Sequence, residues 1–217
     1  RGLDESLPVI GFAGAPFTLA SYAIEGGGSR SYLHAKRLML RDPGAWSSLL
    51  GKLARAVTAY LNAQIDAGAQ IVQLFDSWVG CLGPDDYRRY VLPHARTVFQ
   101  GLRPGVPAIH FATGNPALLP LLREAGGDVI GIDWRVRLDD AWRTVGHDRA
   151  VQGNLDPAVL LTGAAEIRRR VQDILDQAGG RPGHIFNLGH GVHKETPVEN
   201  AVALVEAVKE LSAAGTP

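Results

Sequence analysis

The residues best suited to chemistry stand at the ends of short apolar runs. His190 sits between two glycines in Asn-Leu-Gly-His-Gly, and His193 follows three residues later. That spacing suits two metal ligands on one helix face, but the glycine-rich setting is not helical. Zinc would need further convergent ligands, and Cys81 is the only cysteine. His190 is then either a loop-stabilising histidine or an accessible catalytic group. A second run ends in Leu-Phe-Asp-Ser-Trp-Val-Gly (74–80). Side chains alternate along a strand, so only one of Asp76 and Ser77 faces a ligand; Asp76 as a cap of the following turn is the structural alternative. Ser77, His190 and an aspartate could form a nucleophilic triad, but the Gly-x-Ser-x-Gly elbow is lacking. Asp156 before Pro157 reads as a helix N-cap followed by proline in the first turn. Asp133-Trp134 reads as a strand-end hydrogen-bond anchor. In GFAGAPFTLASYAIEGGGS (11–29), small residues at 13–15 let the backbone approach a ligand closely. Tyr22 in the same stretch is either a core tyrosine after a tight turn or a site group.

These groups need a scaffold. Six apolar or β-branched runs recur at 8–14, 69–77, 107–113, 128–134, 149–156 and 184–191. Each is too short for a helix and is bounded by Gly, Pro or Asp, so each reads as a strand. Most lack polar alternation, as strands buried on both faces of a parallel sheet do. Helical periodicity fills the intervals. Trp46, Leu49, Leu50, Leu53, Val57, Tyr60, Leu61 and Ile65 make one stripe over 43–67, with Gly68 at its C-terminal cap. A helix opens at Pro84 with Asp85 and Asp86, and its stripe continues through Val98 and Leu102. Ile167, Val171, Ile174 and Leu175 form another, ended by Gly179-Gly180. Pro197 opens the last, with Val198, Val202, Val205, Val208 and Leu211.

Repeated βα units build either a doubly wound sheet or a (β/α)₈ barrel. No Gly-x-Gly-x-x-Gly follows the first strand; EGGGS (25–29) follows a helix-like stretch, against a dinucleotide site. Polar or special residues collect at the C-terminal strand ends: Asp76 and Ser77, His110 and Thr113, Asp133, Asn154 and Asp156, Asn187 and His190. Barrel enzymes place their catalytic groups there. Six strands do not close an eight-stranded barrel of about 250 residues, so two βα units stand upstream or the sheet is open. The chain begins RGLDESLPVIGF without Met, and a start further upstream is expected.

Composition narrows the function classes. Lys+Arg and Asp+Glu are 22 each, a balance that points away from bulk nucleic-acid or membrane-surface binding, although a local basic pocket is compatible with it. One cysteine allows no internal disulfide, and the cytosol is the default compartment. No apolar run approaches the ~18 residues of a membrane span, and no signal peptide opens the chain.

Four motifs, GFAGAPFTLASYAIEGGGS, LFDSWVGCLGP, VQGNLDP and NLGHG, occur in an order and spacing that resemble the uroporphyrinogen decarboxylase family over about residues 8–213. The resemblance implies a (β/α)₈ barrel, of which about six βα units are present. It also implies a single domain over 1–217 lacking the first two units. The activity it implies is removal of carbon dioxide from the four acetate side chains of uroporphyrinogen III, giving coproporphyrinogen III in haem and chlorophyll biosynthesis. No metal, flavin or pyridoxal cofactor is implied. A cytoplasmic homodimer is. By position, Phe12 matches an aromatic that packs on the tetrapyrrole. Tyr22 matches the family's active-site tyrosine, and Ser77 and His190 match contacts to substrate side chains. Gly14, Gly27 and Gly189 match loop-shaping positions. The family's central aspartate and its carboxylate-binding arginines fall upstream of GFAGAP, so no aspartate here is given that role and the chain alone is expected to be inactive. Thr113, where many relatives carry lysine, and His193 are variations without an assigned role. Two other readings stand beside this one. The first is a non-catalytic porphyrin-binding or partner-completed barrel fragment. The second is a cobamide- or zinc-dependent methyltransferase of the same superfamily, against which the lone cysteine counts.

Overall fold

The computed structural model describes residues 7–214; the first six and last three residues of the expected 1–217 domain, with most of the RGLDESL opening, lie outside the described residues. Six strands alternate with helices: β1 (Ile10–Gly14), α1 (Pro16–Glu25), α2 (Leu33–Arg41), α3 (Pro43–Asp66), β2 (Ile71–Asp76), α4 (Pro84–Tyr90), α5 (Leu92–Gln100), β3 (Ala108–Ala112), α6 (Leu119–Ala125), β4 (Val129–Gly131), α7 (Leu138–Val145), β5 (Ala150–Leu155), α8 (Ala164–Ala178), β6 (His184–Leu188) and α9 (Val198–Ala214). Every expected run contains a strand, shorter than the run itself. Strand order follows chain order. The chain forms two compact units, Arg1–Ile130 and Gly131–Pro217.

In the first unit β1 pairs in parallel with β2, Ile10 opposite Ile71 and Gly14 opposite Phe75. β2 pairs with β3, Val72 opposite Ala108 and Asp76 opposite Ala112. One sheet face contributes Ala13, Val72, Leu74 and Ala108 to a core with Ala54, Val57 and Leu61 of α3 and Val98 of α5. α3 starts where Asp42 accepts from Ala45 N at 2.9 Å and Pro43 stands in the first turn. Trp46, Leu50, Ala54, Val57 and Leu61 are its buried face. Tyr60, expected in that stripe, is 59% exposed. It is three residues from Val57 but next to Leu61, about 100° around the helix from the buried row.

The helix expected to run on from Pro84 is two helices. The chain bends at Val91 (φ −122°, ψ −49°). Pro93 lacks the N–H that a continuous helix needs there.

Burial on both sheet faces holds for β3 and β4 but not for β1 and β6. Those two stand at the ends of the strand order. On β1 the Gln64 side chain occupies the edge that has no strand neighbour among the described residues: Phe12 N donates to Gln64 Oε1 at 2.8 Å, and Gln64 Nε2 donates to Phe12 O at 3.0 Å. One amide thus satisfies two backbone groups as a neighbouring strand would.

In the second unit β5 pairs in parallel with β6, Val151 opposite His184 and Leu155 opposite Leu188. α8 buries Ile167, Val171 and Ile174 and ends at Gly179 (φ 63°), whose N–H donates to Leu175 O. The valine stripe expected to bury α9 does not do so: Val198, Val202 and Val205 are 77%, 50% and 51% exposed. α9 is held instead by Ala207, which is buried, by Asn200, and by the Arg168–Glu210 ion pair at 2.6 Å.

Candidate functional site

The first unit presents Phe12, Tyr22 and Ser77. Strand alternation places Phe12 on the sheet face opposite the Ala13 and Leu74 core. It is 62% exposed, and its ring meets Phe75 edge-on at 5.8 Å. Phe75 in turn meets Phe111 at 5.6 Å, so an aromatic row crosses β1, β2 and β3. Ser77, half-buried, continues this face beyond the end of β2. Its carbonyl accepts from Thr113 Oγ1 at 2.8 Å. That bond ties the ends of β2 and β3 together and gives Thr113 a structural role. Gly80 crosses closely over the same loop: a Cβ there would overlap Thr113 O.

Tyr22 lies on α1 and is 43% exposed, so the core-tyrosine alternative is corrected. α1 enters with Pro16 in its first turn, which fixes the helical φ at no cost in hydrogen bonds. The Tyr22 ring meets Trp78 edge-on at 5.8 Å, and the other side of this small cluster is Tyr32, 5.6 Å from Trp78. Trp78, next to Ser77 in sequence, therefore links the two candidate groups. Its place in the cluster had no local signal in the sequence.

Asp76 points away from Ser77, into the helix side of the sheet, and is fully buried. Thr18 Oγ1 donates to its Oδ1 at 3.4 Å, and His110 Nε2 lies 4.0 Å from its Oδ2. Burial pushes the Asp76 carboxyl above its usual 3.8, against the opposing pull of His110 and then of Thr18. Asp76 caps no turn, contrary to the structural alternative weighed for it. Burial also pushes the Cys81 thiol up, so it is not an activated thiolate.

The second unit presents His190 and explains the glycines around it. Gly189 N donates to Leu155 O at 2.7 Å. A Cβ at Gly189 would stand 2.5 Å from Trp134 N and 3.0 Å from Asp133 C, whereas nothing lies within 4 Å of the corresponding position at Gly191. The first glycine answers a backbone crossing, and the second leaves His190 open. His190 is exposed, and its ring meets Trp134 edge-on at 5.8 Å. The Arg135 guanidinium stacks on Trp134, 3.8 Å from the ring centroid.

Asp133 anchors the strand end as expected. It accepts from Arg135 N at 2.8 Å and from Arg135 Nη1 at 2.6 Å. Asn154, 3% exposed, donates to Asp133 O at 2.9 Å and Val136 O at 2.7 Å. Asp156 accepts from Ala158 N at 2.9 Å ahead of Pro157, the expected N-cap, over a short 3₁₀ turn, Pro157–Leu161. Asn187 accepts from Leu188 N. Asp76, Asp133 and Asp156 are thus each committed to structure.

Among the described residues, no three His, Cys, Asp or Glu side chains are grouped as metal ligands, and no helix is long and apolar enough to cross a membrane. Parallel strands in chain order, alternating helices, and aromatic, hydroxyl and imidazole groups near strand ends define an α/β protein of the TIM-barrel type. The likeness to solved structures agrees. A methyltransferase from Methanosarcina mazei superposes with a TM-score of 0.83 at 19% identity, over 96% of this chain and 60% of that one. A Xanthomonas albilineans dihydropteroate synthase superposes with a TM-score of 0.56 at 16% identity, over 97% of this chain and 70% of that one. At such identities the likeness is one of fold.

The family follows from sequence. The uroporphyrinogen decarboxylase (URO-D) family model matches residues 1–211, and the chain belongs to that family. A uroporphyrinogen decarboxylase of Carboxydothermus hydrogenoformans is 63% identical over 98% of this chain and 61% of its own length. One of Sorangium cellulosum is 56% identical over 97% of this chain and 61% of its own length. The chain spans about three fifths of the length of these relatives.

Proposed function

We propose that this protein is a uroporphyrinogen decarboxylase, removing carbon dioxide from the acetate side chains of uroporphyrinogen III to give coproporphyrinogen III. The observation that carries the reading is the 63% identity over 98% of the chain to a relative of that name. In the reaction, the pyrrole carbon next to the acetate-bearing carbon is protonated. The cationic ring accepts the electron pair released as the C–CO₂⁻ bond breaks, which leaves an exocyclic methylene; a second proton converts that methylene to methyl, and loss of the first proton from the ring carbon restores the pyrrole. Ring electrons act as the sink, so the protein's tasks are to hold an anionic macrocycle, orient it and manage protons.

The candidate groups divide these tasks. The exposed face of Phe12 offers an apolar surface to the macrocycle. The Ser77 hydroxyl and the His190 imidazole receive substrate carboxylates, and Tyr22, set against Trp78, contacts the reacting region. Asp76, Asp133 and Asp156 take no part in the chemistry, because capping and burial already occupy them. The six βα units are read as part of one barrel domain over 1–217 that works as a cytoplasmic homodimer without a cofactor.

The test is turnover of uroporphyrinogen III by the full-length natural protein that carries these residues, with products oxidised and separated by chromatography. Ser77→Ala and His190→Ala are each expected to lower kcat/KM at least about ten-fold, the loss of one charge-assisted hydrogen bond of about 1.5–3 kcal/mol. Unchanged kcat/KM in both variants would overturn the site assignment, and no turnover of any uroporphyrinogen isomer by the unsubstituted full-length natural protein would overturn the activity.

A further inference from the structure

Behind Ser77, on the helix side of the sheet, lie two titratable side chains that the proposed chemistry does not use. Asp76 and His110 are both fully buried. Asp76 Oδ2 and His110 Nε2 face one another at 4.0 Å, and among the described residues neither atom has another hydrogen-bond partner. His110 Nδ1 lies 3.2 Å from Leu122 O at the helix side. A carbonyl only accepts, so Nδ1 carries a proton there. In a neutral imidazole, Nε2 is then a lone pair aimed at a carboxylate oxygen, and two acceptors would confront each other in a dry interior. One further proton between them removes the conflict.

The surroundings decide where that proton sits. The groups turned toward the pair are Thr18 from α1, whose hydroxyl is 3.4 Å from Asp76 Oδ1, and the buried Tyr87 of α4, with Cys81 beyond β2. Among the described residues, no cation other than a protonated His110 is near enough to hold a buried carboxylate anion. An ion pair stripped of water and short of hydrogen bonds is costly relative to a neutral one.

We propose that Asp76 and His110 form a neutral buried pair, protonated on the Asp76 carboxyl and directed at His110 Nε2, and that Asp76 is the positioning residue for Ser77. The coupling is geometric. Asp76 precedes Ser77 and faces the opposite side of the same strand end, and the Thr113 hydroxyl holds the Ser77 carbonyl from β3. His110 is on β3 as well, so the ends of β2 and β3 are tied on both faces, and the Ser77 hydroxyl is fixed by what lies behind it. The Ser77 part of this inference rests on the proposed function; the proton count does not.

Nitrogen-15 spectra of His110 in the full-length natural protein test the proton count, and uroporphyrin titrations of the same protein test the positioning. His110 is expected to show Nδ1 protonated and Nε2 unprotonated from pH 6 to 8. Asp76→Asn, whose amide can donate in place of the carboxyl, should keep that signature and hold uroporphyrin affinity within about two-fold. Asp76→Ala should weaken affinity about ten-fold, and Asp76→Asn thus serves as the conservative rescue. Protonation of both His110 nitrogens over that range, or an Asp76→Asn loss equal to that of Asp76→Ala, would overturn the proposal. If the unsubstituted full-length protein binds no uroporphyrin, the functional reading fails, and the Ser77 role with it; the His110 spectra still judge the pair.

Discussion

Gly189→Ala is the sharpest perturbation of the strand end that carries His190. The added Cβ would stand 2.5 Å from Trp134 N and 3.0 Å from Asp133 C. Both atoms are backbone, and both belong to a segment pinned by Asn154 and by the Asp133–Arg135 contacts. They cannot rotate aside as a side-chain end would. An ordinary contact needs roughly 3.5 Å, so one segment must move by about an ångström. Overpacking of this kind costs about 1–3 kcal/mol. With a urea dependence of about 2 kcal/mol per molar, the unfolding midpoint falls by about 0.5–1.5 M. Gly191→Ala is the matched control. It meets nothing within 4 Å, and its effect should lie within about 0.5 kcal/mol of zero. Urea unfolding followed by tryptophan fluorescence and by far-ultraviolet circular dichroism reads both. Equal midpoints for the two variants would refute the argument that close backbone approach is what requires Gly189.

Three further outcomes follow from the same geometry. Asn154→Ala strands the carbonyl of Val136 and should cost about 1–3 kcal/mol for that unpaired group; a loss below 0.5 kcal/mol by urea unfolding would contradict it. Tyr22→Phe keeps the ring against Trp78, so stability should stay within about 0.5 kcal/mol while kcat for uroporphyrinogen falls about ten-fold or more; a wild-type rate would remove the Tyr22 hydroxyl from the mechanism. Glu166, bonded by Arg169 and Arg170, is held at about 2 against a usual 4.5. Its folded-state value is depressed, so its stabilising contribution is complete above pH 4.5 and is lost as pH falls toward 2. A carbon-13 titration of its carboxyl should show a midpoint near 2, and a midpoint at 4.5 would mean that the two arginines do not hold it.

The sequence by itself determined the βα repeat. Alternating short apolar runs and three-to-four-residue stripes are local properties, and the punctuation at Pro43, Pro84, Pro157 and Gly179 is legible without a partner. It also determined the family, because motifs such as NLGHG and LFDSWVG keep their order along the chain. Pro93 is the local mark of the split at Val91, across which the apolar stripe continues to Val98 and Leu102.

What only the tertiary structure decided depends on residues far apart in the chain. Gly189 is required by the backbone of Asp133 and Trp134, more than fifty positions earlier. Thr113 acquires its role from the Ser77 carbonyl, and His110 faces Asp76 only because β3 lies beside β2. The same holds for burial. The periodicity of α9 marks a stripe of valines, but whether they are covered depends on which surface another element reaches. A pattern within one element sets which residues share a face. Which groups face one another across a sheet or a loop is set by register and by packing, and no local pattern contains either.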